Sequence, residues 1–162
     1  MSFKNILKDN VAYVIFITFC FVVDRLTKTS AIKFLLERNS TYYVNDFINL
    51  DLVWNSGIGF GLLDLEANLY YHLITLVIFV IIIILVYFMF RSDKIDKLFY
   101  SFVIGGAFGN IYDRILYFSV PDFIDLHFDK FHWFTFNVAD IFISIGVIGL
   151  IISELLKKNE NV

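Results

Sequence analysis

Two acids, Asp122 and Asp140, carry the chemical interest of this sequence. Carboxylates brought together in a low-dielectric site cannot both ionise easily, so one keeps a proton while the other serves as a base. Such a pair can take a proton from water while giving one to a carbonyl oxygen. That is aspartic-protease chemistry, and it uses neither a metal nor a nucleophilic side chain. Asp140 opens an apolar stretch in "FTFNVADIFISIGVIGLII", and Asp122 lies 18 positions earlier in "VPDFIDLHFD". Pro121 stiffens the approach to Asp122 and holds Val120 extended, which favours presentation of that acid. Asp125 competes for the same place.

Other polar residues surround these two in the pattern of the chain: Asp24 and Lys28, Asn55, Asn110, Asp113 and Arg114, and Asn137. Each has an ordinary explanation. Asp24 and Lys28 are spaced for a helix-surface ion pair, and Asn110 with Arg114 could anchor a helix end. Gly105 and Gly109 form a small-xxx-small packing pattern. Asn137 suits an N-cap, with Asp140 at the third helical position where the dipole favours an acid. Asp122 is one acid among three in a wet loop. Taken together, however, these residues converge on the same ends of the apolar stretches. Other chemistries fit less well. His127 and His132, with Asp125 and Asp129, lack the spacing of a helix-borne zinc pair, so no metal is expected. Ser56 has no recognisable context for a serine–lysine pair with Lys28, and His72 reads as interfacial.

The elements that must hold these residues are membrane helices. Of 162 residues 59% are hydrophobic, well above the roughly 45–50% of soluble chains. The length suits one domain, 1–162. A net charge of −3 gives no reason to expect a nucleic-acid partner. The lone Cys20 rules out a disulfide framework and reads as a small buried hydrophobe. Four stretches approach spanning length: about 11–28, 69–90, 98–117 and 135–156. The first has Lys4 and Lys8 before it and no small-x-small cleavage site after it, so an uncleaved helix is expected. Lys4 and Lys8, then Arg91, Lys94 and Lys97, then Lys157 and Lys158 flank the spans in short segments; the positive-inside rule makes these flanks and both termini cytoplasmic. The polar convergence then lies at the outer ends of the spans, and a single outward-opening polar cavity is the economical reading. In the first outer connection, "SAIKFLLERN" has the spacing of a short interfacial helix. "FINLDLVWN" alternates with strand period, Ile48, Leu50, Leu52 and Trp54 against Asn49, Asp51 and Asn55. Gly57, Gly59 and Gly61 follow, giving an outer β region of about 42–66. The fold expected is a membrane all-α protein with a small extracytoplasmic β-cradle. Trp54, Trp133 and nearby tyrosines fit an interfacial belt.

At these residues the chain resembles the bacterial lipoprotein signal peptidases, or signal peptidase II. Five blocks occur in family order: "DRLTK", "WNSGIGFG", "GGAFGNIYDR", "VPDFID" and "FNVAD". The resemblance implies a four-helix aspartyl endopeptidase of the bacterial cytoplasmic membrane. Its partners would be membrane lipids and prolipoproteins whose cysteine carries diacylglycerol, cut just before that cysteine; it would act as a monomer and without cofactor. Asp122 and Asp140 match the catalytic pair, and Asp125 loses the contest. Asp24, Lys28, Asn55, Gly57, Asn110, Arg114 and Asn137 match residues that support the site or hold substrate. Ile58, Gly59 and Pro121 depart from the family's usual residues. Two other classes compete: a small proton-linked transporter or channel subunit, and a non-catalytic assembly protein.

Overall fold

The computed structural model describes residues 3–57 and 69–160; Ile58, Gly59, Gly61 and the end of the expected β region lie outside them. The elements are α1 (Phe3–Arg38), β1 (Tyr42–Asn45), β2 (Ile48–Asn55), α2 (Leu69–Arg91), α3 (Lys94–Tyr117), β3 (Val120–Phe128), β4 (Phe131–Phe136) and α4 (Val138–Glu160). Among the described residues, four helices therefore stand with one antiparallel sheet of order β1-β2-β3-β4. Three of the helices, over Asn10–Arg38, Tyr71–Arg91 and Val138–Asn159, are long and apolar enough to cross a membrane.

α3 is about as long as α2 and α4 but more polar than either, for a reason visible in its packing. It contacts α1, α2 and α4, and buries Val103, Ile104, Ala107 and Ile111 together with Ser101, Asp113 and Arg114. Its glycines permit this central place. A Cβ at Gly105 would lie 2.6 Å from Cys20 Cβ on α1, and one at Gly106 would lie 2.5 Å from the Ala139 carbonyl oxygen on α4. The helix starts on Asp93, whose side chain accepts from the backbone N–H groups of Ile95 and Asp96; this satisfies donors that every helix start leaves orphaned. The apolar core of the bundle is Ile82, Met89, Ile104, Ala107 and Ile111.

Several sequence expectations change here. The short interfacial helix does not exist as a separate element. No proline or glycine interrupts residues 25–38, so α1 runs on for 36 residues, about 54 Å at 1.5 Å per residue, beyond the ~30 Å of hydrocarbon. Its extra turns bury Ala31 and Leu35 against Phe123 of the sheet. The wet loop expected around Asp122 is instead the strand β3, paired on both sides, and with β4 it was not anticipated from the sequence. α4 accordingly begins at Val138, later than the expected 135. In β2 the expected alternation breaks at a register shift between Leu50 and Val53; Val53 and Trp54 are both exposed, and the buried positions are Asn49 and Asn55, which donate to Asp125 and Asp122 on β3.

Candidate active site

Asp122 on β3 is 2% exposed, and Asn137, the residue before α4, is fully buried. Asn137 joins the two acids. Its Nδ2 donates to Asp122 Oδ1 at 2.5 Å. Its backbone N–H donates to Asp140 Oδ2 at 3.1 Å, while its Oδ1 accepts from the Asp140 N–H at 3.2 Å. This reciprocal pair is a capping box in which Asp140 occupies the third helical position. Asn137 thus caps α4 together with Asp140 and also bonds Asp122.

Two further amides complete the holding of the acids. Asn55 Nδ2 donates to Asp122 Oδ2 at 2.9 Å, and its Oδ1 accepts from the Gly57 N–H at 3.0 Å. Asn110 Nδ2 donates to Asp140 Oδ1 at 2.9 Å, and its Oδ1 accepts from Lys28 Nζ at 2.8 Å. Each of the three amides has a donor on its oxygen, which leaves its N–H for a carboxylate. Flipping any of them would oppose donor to donor.

Behind Asn110 lies a buried charge cluster. Lys28 Nζ pairs with Asp24 at 3.0 Å and Asp113 at 2.7 Å. Arg25 clasps Asp113 through both nitrogens, at 2.5 and 2.7 Å, and Asp24 at 2.8 Å. Two acids and two bases balance, as buried charges require. Asp24 Oδ1 also accepts from the Ala139 N–H at 3.0 Å, so α1 caps the start of α4 across the bundle. The Asp24–Lys28 pair and the close glycine packing are therefore real, and they serve the same place.

Asp140, Asn110 and Arg114 line a cavity of about 210 Å³ with Ile78, Ala107 and Ile143. Arg114 donates to the Gly57 carbonyl and stacks its guanidinium 5.4 Å over the Tyr71 ring. Its Nη1 is buried without a partner among the described residues. Burial first, and the charge of Asp140 second, push the Asp122 carboxyl up to about 6; the bonds from Asn55 and Asn137 and the charge of Lys28 act the other way. A proton held near neutral pH beside a second acid is the condition for the acid–base exchange outlined above.

Asp125 goes elsewhere: His132 Nδ1 lies 2.7 Å and Asn49 Nδ2 3.3 Å from it. His132 stacks on His127, ring centroids 5.5 Å apart. The residue pattern set Asp113 among the converging polar groups, but its partner Arg25 emerges only from the packing of α1 on α3.

Apolar spanning helices around a polar, acid-bearing cavity define a multi-pass membrane enzyme. The family described as Signal peptidase (SPase) II matches residues 16–156. A lipoprotein signal peptidase of Pelagibacter ubique is 47% identical over 155 residues, covering 95% of this chain and 93% of that protein. One of Thermodesulfovibrio yellowstonii is 39% identical over 137 residues, covering 85% and 89%. A bacterial membrane enzyme solved by the in meso method at 2.3 Å superposes with a TM-score of 0.72 at 29% identity, covering 93% of this chain and 90% of that one. The chain belongs to the signal peptidase II family.

Proposed function

We propose that the protein removes signal peptides from prolipoproteins whose cysteine already carries diacylglycerol, cutting before that cysteine with Asp122 and Asp140 as the catalytic pair. One observation carries the reading: Asn137 holds both carboxylates, one through its side chain and the other through its backbone and cap. Water bound between the acids loses a proton to the ionised one and attacks the peptide carbonyl. The protonated acid donates to the carbonyl oxygen, and the roles reverse as the tetrahedral intermediate collapses. Arg114 and Asn55 are placed to hold the substrate backbone beside the pair.

α3 crosses the bilayer as the fourth span, its polar residues shielded by its three neighbours. Both termini are cytoplasmic, and the sheet and acids lie at the outer face of the bacterial cytoplasmic membrane. The lipid tails of the substrate remain in the bilayer, so the scissile bond sits where water and acids meet. A single domain acting as a monomer suffices, and no cofactor takes part. A proton-transport reading is disfavoured by the apolar layer of Ile82, Ile104 and Ala107, which on α3 lies one to two turns inward from Asn110. The test is cleavage of a lipid-modified precursor by purified protein. Asp122→Asn and Asp140→Asn should each lower kcat by at least ~10³-fold, and a chelator should leave the wild type unaffected. Retained cleavage in either variant refutes the acid pair.

A further inference from the structure

We propose that Asp113 is a positioning residue for this hydrolysis: with Arg25 it fixes Lys28 so that the Asn110 amide presents its N–H to Asp140. The inference rests on the acid-pair reading above.

Asp113 is fully buried and Lys28 is 1% exposed. An ammonium has three donors, and Lys28 Nζ has three acceptors: Asp24 Oδ2 at 3.0 Å, Asp113 Oδ2 at 2.7 Å and Asn110 Oδ1 at 2.8 Å. With every proton engaged, its position is determined. The Asn110 oxygen must then face Lys28, and Nδ2 must face Asp140 Oδ1 at 2.9 Å. The opposite amide orientation would set NH₂ against an ammonium and a carbonyl against a carboxylate. Arg25 occupies both Asp113 oxygens, which holds that carboxylate toward α1. Asp113 itself is not among the residues lining the cavity beside Asp140, so its effect on the acid travels through Lys28 and Asn110. If the cluster served only to join α1 to α3, its loss would weaken the fold and spare turnover in the molecules still folded.

The test is a double-mutant cycle in cleavage of the lipid-modified precursor, on purified proteins whose folding is checked by thermal unfolding. Asp113→Asn and Asn110→Ala should each lower kcat about 10-fold or more while KM changes less than about 2-fold. Their combination should fall no more than about 2-fold below the worse single variant, because both cut the same chain. Multiplicative losses, or a wild-type kcat in Asp113→Asn, overturn the proposal. Asp113→Asn leaves a buried cation unbalanced, so the charge-balanced Asp113→Asn/Lys28→Met variant is measured beside it. It should show the same kcat loss at constant KM, and a wild-type kcat there overturns the proposal equally. Failure of the acid pair would show separately, as cleavage retained by Asp122→Asn or Asp140→Asn.

Discussion

Asp122 is a carboxyl that the fold holds at some cost. Its proton affinity is raised by burial and by Asp140, to about 6 from an ordinary 3.8. The folded state therefore binds this proton more tightly than the unfolded chain, and the associated stability is present at low pH and lost as pH rises from about 4 to about 6. Asn at 122 carries no such dependence. Between pH 4 and 7 the thermal stability of Asp122→Asn should gain on the wild type by about 1–3 kcal/mol, read from melting curves across that range. Activity should fall on the alkaline side as the pair gives up its remaining proton, an apparent value belonging to both acids. Asn55 favours the ionised form of Asp122, so Asn55→Ala should move the alkaline limb upward, by up to about one pH unit. A downward shift would contradict the assigned hydrogen bond.

At the level of elements, the site is the meeting of α1, α3, β3 and the start of α4. α3 reaches it only because glycines face α1 and α4. Gly106→Val would force a side chain against the Ala139 carbonyl, 2.5 Å from the new Cβ, beside the helix start that carries Asp140. We expect a loss of about 1–3 kcal/mol from overpacking, seen as a lower melting temperature, with activity reduced in step. At the opposite end of the same helices, Lys157 pairs with Asp93 and with Asp96 at 2.6 Å, and Ser153 Oγ donates to Asp96 at 2.6 Å. This second polar clamp joins α3 to α4 far from the acids, and Asp93→Ala, which also removes an N-cap, should cost about 1 kcal/mol without changing KM.

For the whole molecule, the decisive property is orientation. Arg91 ends α2 and Lys94 and Lys97 lie in the first turn of α3, while the β3–β4 turn at 129–130 closes the end of β3 far from Asp122. Cys20 is buried and should be silent to an impermeant maleimide. In intact cells Lys130→Cys should label and Lys94→Cys should not; the reverse result would place the acids on the cytoplasmic side.

The sequence by itself determined the helical, lipid-suited character of the chain, the two acids, and most of their polar neighbours. Those features depend on residue type and local spacing: apolar length and the Asn137-to-Asp140 cap. It misplaced what depends on contacts distant in sequence. Whether Ser30–Arg38 forms its own helix turns on Phe123 lying beneath it, and whether Asp122 sits in a loop or a strand turns on pairing with β2 and β4. Asp113 and Arg25 gained a role only when α1 met α3. Nothing local marks two charges on separate helices as partners, because their burial becomes tolerable only when opposite charges close the cluster in three dimensions.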